Sequence, residues 1–438
     1  MNFLKTKVIL LLGMLTALLL AACGGASSSG KTTVTLLTWE NTATNAAIDQ
    51  ALQQFQKDNP NIVIQHLESP NSNYADKLSS LTQARKLPDL FWCGNDTEQQ
   101  YTSQGLLHDY SAQLKSANGD FTANNFVQIA IQNWTTSDGK IGGLPSLMNT
   151  YGIWYNADAF TTAGLTTPAA GWTWDDMYHD AQVLTSKSGS TTSYGLIASS
   201  QLTKASDGPF TMSTYALSAG GQPFADKINN PTKITADAKY VEGVTKLATA
   251  IQGGSVAPPG YDDSNAASSF SAGKVPMLMA GQWLAAGFLQ NKPSVKYGFA
   301  PLPIATGGQP ATLFDAVGIC TPSYTQTADA TWKVMQYLDS KAWESVLPSA
   351  PVAPPAYQPS ATPYYNTLHS GNLDSVVTTV TDTLKITNVN GVRFTTSWAS
   401  KANDIATAYW PDILAGKKPI SELQTMVNQL NALVKSNG

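Results

Sequence analysis

The chain is poor in charge, histidine and cysteine. Asp, Glu, Lys and Arg make up 13% of its 438 residues, against roughly 25% in ordinary soluble domains. No basic run is longer than two residues, as at Lys417-Lys418, which leaves no electrostatic footprint for nucleic acid. His66, His108, His179 and His369 are scattered, without the His-Glu-x-x-His spacing of a metalloenzyme. No Gly-x-Ser-x-Gly elbow and no phosphate-binding glycine loop is present, so neither a cofactor nor a metal is expected. Asp175-Asp176 and Asp262-Asp263 are adjacent in sequence, and the first pair reads as the start of a helix. After Leu20 no apolar run approaches the roughly 20 residues that span a bilayer.

Ser, Thr, Asn and Gln take the place of the missing charges. A surface of neutral hydrogen-bonding groups suits a protein that handles uncharged polar ligands. The length predicts two or three domains, at about 150 residues each. Eleven Trp residues are the other resource.

The N-terminus is an export signal. Lys5 and Lys7 precede a run of about 13 residues, Val8 to Leu20, interrupted only by Gly13 and Thr16. Small residues then lead to Cys23, a pattern of secretion rather than spanning. Leu20-Ala21-Ala22-Cys23 resembles the lipobox of bacterial lipoproteins. That resemblance implies removal of residues 1–22, a diacylglycerol on the Cys23 thiol, and a flexible Gly/Ser tether over 23–31. Loss of Lys5 and Lys7 moves the net charge from −4 to near −6. Cys93 and Cys320 then remain, and an exported chain is free to pair them. Two buried free thiols fit the sequence equally well.

Periodicity predicts strand–helix–strand–helix–strand over the first hundred residues. Strands are expected at 31–38, 61–65 and 89–93, and helices at 45–57 and 75–86. Ile48, Ala51, Leu52 and Phe55 mark one helix face at i, i+3, i+4 and i+7. This is the pattern of a parallel sheet with crossover helices, which binds ligands outside the carboxyl ends of its strands. Two such ends carry Trp39-Glu40 and Trp92-Cys93-Gly94-Asn95-Asp96. Further strands are expected at 151–155, 194–197, 275–279, 297–301 and 316–320. Helices are expected from Thr173, over 237–252, around 330–338, and from Ser421, where Ser-Glu-Leu-Gln fits a capping box. Pro348 to Pro363 reads as an extended loop.

Several stretches resemble one family, the extracellular sugar-binding proteins of ABC importers, of the maltose-binding type. They are Phe55–Ile64, Leu87–Trp92 with Gly105-Leu106-Leu107, Gly143-Leu144-Pro145, Trp154-Tyr155-Asn156, Ala163-Gly164-Leu165 with Thr173-Trp174-Asp175, Phe270–Lys274 and Gly298–Pro303. Their order and spacing carry the resemblance over some 400 residues. It implies an α/β fold of two lobes joined by crossover strands, with the ligand cleft between them. Lobe 1 would hold 32–143 plus about 318–372, and lobe 2 would hold 144–317 plus about 373–438. The crossings would lie near 141–147 and 313–321, with a third between 354 and 395.

A sugar needs flat aromatic faces for its C–H surfaces and fixed polar groups for its hydroxyls. The resemblance assigns Trp92, Trp283, Trp398 and Phe210 as aromatic contacts. It places Asn95 or Asp96 beside Trp92, the two indistinguishable because of one extra residue before Gly105. Trp39 and Glu40 follow from their strand end. Asp207 lies near a family carboxylate, offset by gaps, and Arg393 stands five residues before Trp398, with a salt bridge as its alternative role. Asn149 and Asp315 are chosen from their place beside the crossovers. Trp134, Trp154, Trp172, Trp174, Trp332, Trp343 and Trp410 are read as packing residues. Four Trp platforms favour a di- or oligosaccharide. The expected protein is a lipid-anchored monomer on the outer face of the cell membrane. It would deliver a carbohydrate to a membrane permease, without catalysis and without nucleic acid. The rivals are the same fold holding a polyamine, metal chelate or peptide, an exported glycoside-acting enzyme, and a sugar sensor that feeds no transporter.

Overall fold

The computed structural model describes residues 30–116, 121–189 and 191–437. The export signal and Cys23 lie outside these. Among the described residues no helix is long and apolar enough to cross a membrane.

The first third folds as its periodicity dictates. Strand β1 (Thr32–Thr38) buries Val34, Leu36 and Leu37 completely. Helix α1 (Thr42–Asp58) starts at Asn41, whose side chain accepts from Thr44 N, and buries Ile48, Ala51, Leu52 and Phe55. Strand β2 (Ile62–Glu68), helix α2 (Asn71–Gln83), strand β3 (Leu90–Gly94) and helix α3 (Asn95–Ser103) follow. β2 pairs with β1 and β1 with β3, all parallel.

Strand β4 (Gly143–Asn149) begins where the sequence suggests only an interruption. It lies at the edge of the sheet, and Pro145 falls beside an irregularity in the strand's register, a place that tolerates proline. After one residue the chain continues as β5 (Tyr151–Asn156) in a second sheet. Helix α4 (Trp174–Leu184) opens with a complete capping box between Thr173 and Asp176. Strand β6 (Leu196–Ile197), helix α5 (Gly208–Ser218), helix α6 (Ala238–Gln252), strand β7 (Met277–Gly281) and strand β8 (Tyr297–Pro301) complete the second unit. Its sheet runs β8-β5-β7-β6.

The two-residue strand β9 (Thr312–Leu313) precedes β10 (Asp315–Cys320), which returns to the first sheet between β3 and β4. That sheet is therefore mixed, in the order β2-β1-β3-β10-β4, with β10 antiparallel to both neighbours. The β4–β10 register shifts at Val317/Gly318. A Cβ at Gly318 would meet the Leu144 carbonyl and the Trp134 ring, so only glycine allows this approach. Cys93 and Cys320 form a disulfide, Cα–Cα 6.0 Å, that ties β3 to β10.

Helix α7 (Ala328–Tyr337) packs on β1. The Pro-rich stretch runs along the first sheet, through bridges from Leu147 to Pro355 and from Phe126 to Tyr357. Helix α8 (Asp374–Thr383) instead packs on β8, where Ser375 Oγ accepts from Phe299 N at 3.2 Å and Thr379 Oγ1 donates to Phe299 O at 2.9 Å. The chain thus passes back to the second sheet between Tyr357 and Asp374. Strand β11 (Val389–Asn390) pairs with β9, before helices α9 (Ala399–Leu414) and α10 (Glu422–Asn437). One apolar core surrounds the first sheet and reaches one face of the second. The other is formed by α4 to α6, α9 and α10. Two mixed sheets joined by strand crossings make this an α/β fold of two units.

Candidate ligand cleft

A cleft of about 930 Å³ lies where the carboxyl ends of the first-sheet strands face the second unit. It falls at the top of the roughly 300–1,000 Å³ range of small-molecule sites. The other three cavities described measure about 360–420 Å³. Eight of the expected site residues line the cleft: Trp39, Glu40, Trp92, Asp96, Asn149, Trp283, Asp315 and Arg393.

The first wall is built from strand ends. Trp92 Nε1 donates to Glu40 Oε1 at 3.0 Å, linking the ends of β3 and β1. Tyr74 of α2 donates to the Trp92 carbonyl at 2.7 Å and packs edge-on against Trp39, with ring centroids 5.0 Å apart. Asn45 holds two neighbours, donating to the Glu40 carbonyl and to Glu68 Oε2, both at 2.9 Å. Burial raises the Glu40 pKa, and the Trp92 hydrogen bond only partly opposes this.

The second wall is set by the passage between sheets. Gln282, wholly buried, accepts from Thr150 N at 2.7 Å and donates to the Met148 carbonyl at 3.3 Å. This holds Tyr151 edge-on to Trp283, with centroids 5.6 Å apart. A Cβ at Gly281 would fall within the Trp283 ring, so glycine there lets the indole fold back over the strand end. Tyr151 donates to Asp315 Oδ1 at 3.1 Å. Burial raises the Asp315 pKa against the pull of Arg393, Asn149 and Tyr151.

Arg393 follows β11 and meets carboxylates from distant segments. Its Nε donates to Asp207 Oδ1 at 3.2 Å, and its Nη1 lies 3.7 Å from Asp96 Oδ2. Burial disfavours its charge, and Asp207, Asp96 and Asp315 more than offset this, so its pKa stands above the ordinary value.

Four expected residues stay out of the cleft wall. Asn95 is only 2% exposed, and of the pair Asn95/Asp96 it is Asp96 that lines the cleft. Asp207 faces Arg393 rather than the cleft. Phe210 lies in the second core against Phe224 and Phe394, and Trp398 packs on Phe394 with centroids 5.3 Å apart. The sequence reading missed Glu68, Asn71, Tyr74 and Tyr151. Glu68 sits at the end of β2, and the strand-end rule would have found it had that strand been extended past Gln65.

One group of His, Cys, Asp or Glu among the described residues brings three ligand atoms within 4.8 Å: Asp49, His66 and Glu68. Its atoms already serve one another and their neighbours. His66 Nδ1 is 2.7 Å from Asp49 Oδ1, His66 Nε2 is 2.8 Å from Thr38 Oγ1, and Glu68 is held by Asn45.

The sequence pattern of bacterial extracellular solute-binding proteins matches residues 39–344, well over half the chain. The chain belongs to that family. This solute-binding protein is 25% identical over 370 residues to the maltodextrin-binding protein MdxE of Bacillus subtilis, covering 78% of each chain. It is 23% identical over 335 residues to a putative binding protein of Brucella abortus, covering 76% of this chain and 78% of that one. Among solved structures it resembles the ABC substrate-binding protein Lmo0181 of Listeria monocytogenes, in complex with cycloalternan. The TM-score is 0.75 at 21% identity, over 93% of this chain and 99% of that one. The cyclic α-maltosyl-1,6-maltose binding protein of Arthrobacter globiformis gives 0.73 at 18% identity, over 93% and 100%. As a member of that family, the protein is a bacterial extracellular solute-binding protein and not an enzyme.

Proposed function

We propose that the solute is a carbohydrate, a di- or oligosaccharide, held between two lobes divided near residues 143, 318 and 372. The observation that carries this is the pairing of flat rings with fixed polar groups in one cleft: Trp39, Trp92 and Trp283 beside Glu40, Asp96, Asn149 and Asp315. Rings cover the C–H faces of a sugar while the polar groups take its hydroxyls. Trp92 and Trp283 stand on different sheets and would hold opposite faces of the ligand. Closure is a hinge movement that the ligand favours because only the closed form touches it from both sides. The closed monomer would then dock on the permease, tethered to the outer face of the membrane by lipid on Cys23. The maltodextrin-binding relative and the oligosaccharide-bound structures support the ligand class.

Calorimetric titration of the domain from Ser27 with a saccharide panel, read together with Trp fluorescence, tests the ligand. Tight binding of a sugar that stays intact on long incubation supports the proposal. A panel without binding rejects the carbohydrate. Mass spectrometry of the native protein tests the anchor, and an unmodified Cys23 rejects it.

A further inference from the structure

We infer that the solute carries a positive charge beside its hydroxyls, as an amino sugar does. This deepens the carbohydrate reading and rests on it. The cleft is lined by four carboxylates, Glu40, Glu68, Asp96 and Asp315, and by one cation, Arg393. No Lys or His among the described residues lines it. Lys77 donates to the Glu68 carbonyl at 3.4 Å, a main-chain contact that is exposed.

Arg393 does not balance the four. Its closest partner, through Nε, is Asp207, a fifth carboxylate that lies behind the cleft wall. The guanidinium is therefore already paired when the ligand arrives, and Asp96 at 3.7 Å is a second claim on it. Lobe closure would take this negative surface out of water. Burying charge is costly unless it is paired, and an uncharged sugar supplies hydrogen bonds but no countercharge. An ammonium supplies both.

The aromatic lining points the same way. Trp39, Tyr74, Trp92, Tyr151 and Trp283 line the same cleft as the carboxylates. The faces of such rings attract cations. Rings with carboxylates accept an amine and a pyranose face in one cavity.

The test compares sugars of the same ring and linkage with and without an ammonium: glucosamine against glucose, and fully deacetylated chitotriose against triacetylchitotriose, with maltotriose as a neutral probe without acetyl groups. Titrations run at two salt concentrations. The inference expects the amine of a pair to bind at least about tenfold more tightly, a difference of about 1.4 kcal/mol. It also expects that advantage to shrink several-fold in high salt. Asp96→Asn and Glu68→Gln should each reduce the preference. Equal or better binding of the neutral member, without salt dependence, overturns the inference and leaves the carbohydrate reading standing. Silence of every sugar overturns both.

Discussion

Trp92 and Glu40, 52 residues apart in sequence, meet in a 3.0 Å hydrogen bond that fixes an indole plane at the rim of the cleft. The carboxylate thus orients a ring as well as lining the cleft. Replacing Glu40 by Ala should free the ring and weaken ligand binding by about tenfold. Hydrogen bonds to charged groups are worth roughly 1.5–3 kcal/mol. Glu40→Gln keeps an acceptor for Trp92 and should cost less. Titration calorimetry of both variants, with the Trp emission maximum recorded, decides this. Equal losses in the two would show that Glu40 does not act through Trp92.

Gly281 offers a second handle on the aromatic wall. Its missing Cβ is the space that the Trp283 ring occupies. Gly281→Ala should turn the ring out of the cleft and weaken binding as much as Trp283→Ala. The fold should survive, as judged by circular dichroism. Wild-type affinity in Gly281→Ala would mean that Trp283 is no ligand contact.

The disulfide between Cys93 and Cys320 closes 227 residues of chain. Closing so long a loop restricts the unfolded state, and losing such a bond typically costs about 2–5 kcal/mol. The double variant Cys93→Ser/Cys320→Ser should unfold at clearly lower denaturant concentration. Reductant should shift the wild type towards it and leave the variant unmoved. Coincident curves would show that the bond adds nothing.

Buried Glu98 makes stability depend on pH. Its Oε1 accepts from Gly142 N at 2.7 Å and from Thr102 at 2.9 Å, next to the start of β4. Burial nevertheless pushes its pKa from 4.5 up to about 8. The folded state therefore holds this proton more tightly than the unfolded chain. Its stabilising contribution is full below about pH 4.5 and is lost as pH rises towards 8. Thermal unfolding temperature should fall across that window, and Glu98→Gln should flatten the fall. Gln99 Oε1, without a hydrogen-bond partner among the described residues, is available to the new amide. An unchanged slope in the variant would assign the pH dependence elsewhere.

Much of the fold was legible because buried strands and amphipathic helices state their period openly. Tyr297–Pro301 is the strand its apolar run suggests, and Thr173 caps α4 as its spacing requires. The site was less legible for a physical reason. Burying the area of an aromatic ring is as favourable in a core as in a cleft, so Phe210 and Trp398 carry no mark of the core they occupy. Glu68 and Tyr74 were hidden because β2 and α2 run further towards the cleft than their apolar residues do. Polar ends of elements carry no periodic signal, and binding sites are made of such ends. Arg393 depends on the two-residue pairing of β9 with β11, too short to leave a pattern in sequence.

That same short pairing has a wider consequence. The cleft wall draws on residues near 39, 68, 92, 149, 283, 315 and 393, from almost the whole length of the polypeptide. A chain that stops short of residue 393 lacks a piece of the wall. A complete cleft is therefore a mark of a polypeptide synthesised and folded nearly to its end.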